Sequence, residues 1–297
     1  KYKKENYNFN LKSRETFILA NNWFMAFFLI TVLIGMLYPI FLDVLANKKI
    51  SVGPPFFNIV IIPLVVPFMF LMAIGPKFGW IKSQNKINYK ILFLILGAVV
   101  INLFIFYFFG NYSLLSNAIF IAAIFLILHS FLDARKLIND KNKTKLPRII
   151  SHLGFGLLVF FIGINHQFSL EEDFNLKVGE IKQINSYKIN FENIQIKESK
   201  NYKAIIGNFK LTDLKNNLVQ YLNPEIRIYS NPETLTYEAA IKTKITSDFY
   251  LTMSNVSRSD YYNIKFQNKP FMIWIWISAL MIALGGFIRL TLKKNEY

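Results

Sequence analysis

Pro147-Arg148-Ile149-Ile150-Ser151-His152-Leu153-Gly154-Phe155-Gly156, running on to Phe168, is apolar from Ile149 to Ile164 apart from Ser151 and His152. Lys143, Lys145 and Arg148 stand before it, and a long polar segment follows. An apolar run of about 20 residues is the length a helix needs to cross a bilayer. An ionisable side chain inside such a run is costly and marks a functional position by default. Imidazole is also a common ligand of metals and of haem iron. Two readings stay open on these residues alone: His152 as a ligand, or His152 hydrogen-bonded to a neighbouring helix.

The composition extends that reading to the whole chain. Of 297 residues, 53% are hydrophobic and 30 are Phe, too apolar for an ordinary soluble domain. The chain opens at Lys1 without Met, and residues 1–10 are polar, which reads as a fragment or processed chain rather than one led by a signal peptide. The formal charge of +16 raises the question of nucleic acid. The Lys and Arg fall largely in short loops between apolar runs, which is the placement of topology signals and argues against a nucleic-acid partner. Cys is absent, so the chain brings no disulfide, thiolate metal site or thiol nucleophile of its own.

Six apolar runs are long enough to span. The first is Phe17 to Leu45, with Trp23 to Leu42 as its core, and Asn21 and Asn22 at its entrance are expected to cap it. Gly53-Pro54-Pro55 forces a turn and opens the second, Phe56 to Ile74, where Pro63 and Pro67 predict a kink. Gly75-Pro76 stops it. The third is Ile91 to Phe109, the fourth Leu114 to Leu132, the fifth the His152 helix, and the sixth Phe271 to Leu290, with Trp274 and Trp276 as interface anchors. Between Ser169 and Asn268 alternation replaces the long apolar runs, as in Tyr187-Lys188-Ile189-Asn190-Phe191. Period-2 patterning predicts six to eight antiparallel strands closing into a small sandwich or barrel, with turns at Asn201 and Asn231-Pro232. The expected fold is therefore an α-helical polytopic membrane protein of about six transmembrane helices with an inserted extracytoplasmic all-β domain. Its expected parts are a membrane domain over residues 1–168, the β domain over 169–268, and a last helix with a short tail over 269–297.

Side assignment comes from the short loops. Lys77, Lys82, Lys86 and Lys90 fill one, and Arg135, Lys136, Lys141, Lys143, Lys145 and Arg148 another; Lys12, Arg14, Arg289, Lys293 and Lys294 flank the ends. The opposite short loops hold only Lys48 and Lys49. The positive-inside rule then puts both termini in the cytoplasm or matrix and the β domain outside.

Three His are available to chemistry. His152 lies roughly 5 Å, and His129 in the fourth run a similar depth, below the inner boundary at 1.5 Å per residue. Antiparallel neighbours with His at matched depth are a geometry for bracketing one haem iron; the competing reading pairs His129 with Asp133 at i, i+4. His166 is about 21 Å along the helix from His152 and cannot share an iron with it. Gly154, Gly156 and Gly163 either admit a flat cofactor or let helices pack closely, and Gly285-Gly286 reads as packing. The chain has no phosphate-binding Gly loop, H-E-x-x-H or Ser-centred nucleophile elbow.

A series of motifs carries a family resemblance over nearly the whole chain. They are Ser13-Arg14-Glu15, Asn21-Asn22, Gly35-Met36-Leu37-Tyr38-Pro39 and Ile50-Ser51-Val52-Gly53-Pro54-Pro55-Phe56-Phe57-Asn58, then Ser151-His152-Leu153-Gly154. Asn223-Pro224-Glu225-Ile226-Arg227, Thr236-Tyr237-Glu238-Ala239-Ala240-Ile241 and Lys269-Pro270-Phe271-Met272-Ile273-Trp274-Ile275-Trp276 complete the order. In sequence and spacing they resemble the C-terminal half of the CcmF/NrfE family, membrane subunits of the bacterial haem lyase that builds c-type cytochromes. The resemblance implies that His152 is one of two axial ligands of a haem b, and that the second, with the tryptophan-rich haem-handling segment, lies upstream or in a separate subunit. It implies as partners a haem-carrying chaperone, apocytochrome c with its CxxCH thiols, other cytochrome c maturation subunits, and membrane lipid. It places the chain in the bacterial inner membrane, with the mitochondrial inner membrane as the other compartment, and makes it part of a haem lyase complex that is inactive as this fragment alone. His129 matches no family ligand and stays the alternative. The rival functions are a haem or small-solute transporter gated by the Pro63/Pro67 helix, and a scaffold that anchors the β domain.

Overall fold

The computed structural model describes residues 13–80, 89–110, 113–140, 143–256 and 260–292. Lys12, Lys82, Lys86, Lys141, Lys293, Lys294 and the turn at Asn111-Tyr112 lie outside the described residues, and so does the side chain of Lys143. The chain divides into two compact units, one of residues 1–163 with 276–297, the other of residues 164–275.

Among the described residues, six helices are long and apolar enough to cross a membrane. They are α1 (Arg14–Ala46), α2 (Pro54–Ile74), α3 (Tyr89–Phe109), α4 (Leu114–Asp140), α5 (Leu146–Phe168) and α6 (Met272–Leu292). The expected cap at Asn21-Asn22 is corrected. Both lie inside α1, and the cap is Ser13, whose Oγ accepts from Thr16 N–H at 3.3 Å. Hydropathy could not show this, because the first turns of α1 are polar while the capping chemistry is local. At its other end, Asn47 adopts φ 50°; its N–H donates to the Asp43 carbonyl at 3.1 Å, and Lys48 N–H donates to the Leu42 carbonyl at 3.2 Å. α2 starts on Pro54 and Pro55, whose missing N–H groups are not needed in a first turn. Pro63 and Pro67 lie within α2 without dividing it.

α4 is the hub of the helical unit. Ala122, Ala123, Ile124, Phe125 and Leu126 are buried against Met69 and Ala73 of α2 and Ile91 and Ala98 of α3. Small residues set the closest approaches, as expected where lipid removes the hydrophobic drive for helix association. A Cβ at Gly156 would meet Ile127 Cγ1 of α4 at 2.9 Å, and one at Gly163 would meet Phe120 at 3.0 Å. One at Gly154 would meet Met281 Cβ of α6 at 3.0 Å. At Gly285 it would strike Ser151 and the Pro147 carbonyl, whereas Gly286 faces open space. Every α5 glycine thus lies in close contact with a neighbouring helix. Asn102 of α3 donates to Asn117 of α4 at 2.8 Å, a polar tie inside the bundle.

Among the described residues the second unit holds ten strands, more than the six to eight expected. The first sheet runs β1 (Leu170–Leu176), β10 (Tyr262–Pro270), β9 (Ser247–Asn255), β8 (Ala240–Thr243). The second runs β2 (Ile181–Ile184), β3 (Tyr187–Glu198), β4 (Tyr202–Asp213), β6 (Glu225–Ser230), β7 (Glu233–Glu238), with β5 (Leu218–Leu222) also paired to β4. All pairs are antiparallel. The undercount has two causes: β2 and β8 are too short to show alternation, and one long edge serves two strands. Tyr202 to Ile206 of β4 pairs with β6, and Phe209 to Asp213 pairs with β5. The step between them is Asn223-Pro224, where the Pro224 carbonyl accepts from Gly207 N–H at 3.0 Å. The turns expected at Asn201 and Asn231-Pro232 join β3 to β4 and β6 to β7.

Alternate residues of the two sheets face one core. Phe191 and Phe209, opposite in register, stack at 4.2 Å, and Phe191 meets Tyr262 of the other sheet edge-on. Tyr187 likewise meets Phe249 edge-on and packs tilted against Phe266. Gly207 is needed here, because a Cβ would meet Phe209 at 2.6 Å and Met253 Sδ at 2.7 Å.

Candidate functional site

His152 enters the site from the first half of α5, whose apolar sequence carries it among the spans. It lines a cavity of about 190 Å³ bounded by three helices. α1 supplies Arg14, Phe17, Ile18 and Asn21, the end of α2 supplies Leu71 and Met72, and the turn after it supplies Gly75 and Pro76. Close packing shapes the wall: a Cβ at Gly75 would meet Phe17 Cβ at 3.0 Å. Arg14 is fixed at the rim by its backbone N–H, which donates to the Gly79 carbonyl at 2.9 Å, and by stacking of its guanidinium 4.9 Å over Trp80.

Imidazole, an arginine and one polar amide converge here on an otherwise apolar surface. That is suitable chemistry for one side of a haem: an axial nitrogen, a plane of carbon and sulfur, and a cation for a propionate. Sites that enclose a drug-sized ligand run to about 300–1,000 Å³, so this cavity by itself is too small to enclose one. Among the described residues no group of three or more His, Cys, Asp or Glu is placed to hold a metal ion.

His129 stands elsewhere on α4. It is buried, with Nδ1 3.8 Å from Asp133 Oδ2, while Nε2 has no hydrogen-bond partner among the described residues. Asp133 also receives Arg148 at 3.3 Å. The i, i+4 pairing with Asp133 is thus present, and His129 does not line the His152 cavity. It remains an electrostatic neighbour of His152, together with Arg148 and Asp133. His166 is exposed in the last turn of α5.

The α1 and α2 contributors were not legible as site residues from hydropathy. The available signal was the motif set, since Ser13-Arg14-Glu15 and Asn21-Asn22 supply Arg14 and Asn21 to the same cavity as Ser151-His152-Leu153-Gly154. In the β unit the motif stretches also meet. Arg227 Nε lies 2.7 Å from Glu225 and Nη1 4.0 Å from Glu238, and the guanidinium lies 5.0 Å over Tyr202.

A bundle of six spans with one imidazole in an internal cavity, carrying a two-sheet β unit, defines a polytopic membrane protein with an inserted β-sandwich. Residues 167–270 match the family model described as the CcmF C-terminal beta-sandwich. The chain is 29% identical to the cytochrome c-type biogenesis protein CcmF of Pseudomonas fluorescens over 299 residues, covering 96% of this chain and 44% of that protein. It is 28% identical to the CcmF of Escherichia coli, covering 94% and 44%. It is 22% identical to the probable cytochrome c-type biogenesis protein NrfE of Escherichia coli, covering 95% and 40%. A solved structure described as cytochrome c heme lyase CcmF superposes with a TM-score of 0.75 at 19% identity, over 95% of this chain and 46% of that one. The family model matches the β unit alone, and the similarity to CcmF proteins runs along nearly the whole of this chain. It spans somewhat under half the length of the curated relatives it matches. Six spans and bacterial relatives make it a bacterial membrane protein.

Proposed function

We propose that this chain is the C-terminal part of a cytochrome c haem lyase subunit, and that His152 is one axial ligand of a b-type haem. The observation that carries the reading is the cavity itself, where the imidazole in an apolar run faces Arg14 and an apolar wall from two other spans. In this role the His152 ring is neutral and holds iron through one nitrogen. Arg14 offsets a propionate charge, and Phe17, Ile18, Leu71 and Met72 exclude water from the ring face. The bound group supplies one-electron transfer. The second axial His comes from the N-terminal half of the family's proteins or from a separate subunit. The substrate thiols come from the CxxCH motif of apocytochrome c, in keeping with a chain that has no Cys. Haem reaches the outer face on a chaperone, and the β unit docks apocytochrome or maturation partners there. Both termini lie on the cytoplasmic side of the inner membrane, as the loop charges argue.

The test is His152→Ala in the assembled complex. We expect the six-coordinate b-type spectrum to be lost or strongly weakened, with no such loss in His129→Ala. Unchanged haem content and redox potential in His152→Ala would refute the assignment. Protease added from the periplasmic side should cut within residues 169–268.

A further inference from the structure

Four helix ends at one end of the bundle converge on a second cavity, of about 470 Å³. Lys77 closes the short turn after α2, Lys90 lies in the first turn of α3, α4 brings Asp133 and Lys136, and Lys145 and Arg148 lie at the start of α5. Five cations thus face one carboxylate among the described lining residues, and that carboxylate is already engaged by Arg148 at 3.3 Å. Topology signals alone do not need this arrangement. Basic loop residues that only orient a protein can spread into water, where mutual repulsion is screened. Here they share a single hollow with a wall of Ile91, Leu94 and Leu132. Cations gathered beside apolar surface, between membrane helices, match a ligand with a phosphate at one end and hydrocarbon at the other. A free phosphate would leave the apolar wall unused. On the same turn of α3, Leu92 and Phe93 are largely exposed, so the helix beside the cavity also presents apolar surface outward.

We propose that this cavity binds the phosphate of an anionic membrane phospholipid, with Lys136, Lys145 and Arg148 on the head group and an acyl chain along α3. Asp133 tempers the site by holding Arg148 partly in its own field. The proposal is independent of haem and of His152.

Native mass spectrometry of the chain in nanodiscs of phosphatidylcholine, doped with phosphatidylglycerol, reads the retained lipid directly. We expect K136Q/K145Q to lower phosphatidylglycerol retention by about 30-fold, the equivalent of about 2 kcal/mol at roughly 1 kcal/mol for each basic residue near a charged head group. Both lysines are exposed, so the fold should tolerate the change. D133N should move retention the other way, upward, and K188Q/K242Q in the β unit should leave it unchanged. Unaltered retention in K136Q/K145Q, or an equal loss in K188Q/K242Q, would overturn the site. Displacement of the lipid by millimolar inorganic phosphate would overturn the lipid as its occupant.

Discussion

In the β unit Phe191, Phe209 and Phe266 are wholly enclosed, whereas in the helical unit Trp23, Leu33 and Phe104 stand 60%, 45% and 64% exposed. The same residue types meet opposite fates because the two units answer to different solvents. Strands in water must hide one face, so burial follows alternation and the buried set is the stability core. Spans in lipid gain nothing by hiding Leu or Phe, so their contacts are made by what is small or polar: Gly154, Gly156, Gly285, Ala122, Ala123 and the Asn102–Asn117 pair. Even within the bundle the division shows, with 44% of the α4 window buried and only 11% of those of α1 and α6.

The sharpest test of that contrast is to empty one core and watch the other. Phe209→Ala should destabilise the β unit by about 3–5 kcal/mol, the usual cost of removing an enclosed aromatic. Hydrogen exchange should then accelerate across residues 164–275 and stay unchanged in α2, α3 and α4; a uniform rise would mean that the units do not unfold separately. A smaller effect, about 1–3 kcal/mol, is expected from Gly285→Leu, which drives a side chain into Ser151 and the Pro147 carbonyl. Gly286→Leu, one residue on and facing open space, should be neutral in the same thermal assay. Equal losses in the two would sink the idea that small residues matter here by contact.

The weakest expected effect is electrostatic. Glu171 of β1 is held below its ordinary value of 4.5 chiefly by a hydrogen bond from Lys265, against the opposing effect of burial, with the charges of Lys265 and Lys269 adding to the shift. A carboxyl depressed in the folded state adds stability above its unfolded pKa and loses it as pH falls through the folded one. Thermal stability of the β unit should therefore drop as pH is lowered from about 5 into the acid range, and Glu171→Gln should flatten that slope. The pair is substantially exposed, so the difference at neutral pH should stay below about 1 kcal/mol.

Much of this was legible because lipid and water leave different periods in sequence. Six long apolar runs and the alternation after Ser169 state the two solvents outright. What stayed hidden was contact between distant segments. Ser13 capping α1 depends on one hydroxyl, not on hydropathy, and the sharing of the β4 edge by β5 and β6 depends on where Asn223-Pro224 falls. His152 stood out as an ionisable group in an apolar run. Its neighbours Phe17, Leu71 and Met72 did not, because lipid-facing and cavity-facing apolar residues read alike.

The 33 residues of α1 make a rod of about 50 Å, against a hydrocarbon layer of about 30 Å. The apolar segment from Trp23 to Leu42 accounts for the hydrocarbon by itself. The turns from Arg14 to Asn22, about 13 Å long, then stand among lipid head groups, where water and dissolved ions circulate. The rim that Arg14 and Asn21 give the His152 cavity is accordingly wet at one edge and greasy at the other. Ionic strength in the bulk will reach that edge, so the binding of any anion beside Arg14 should weaken as salt rises.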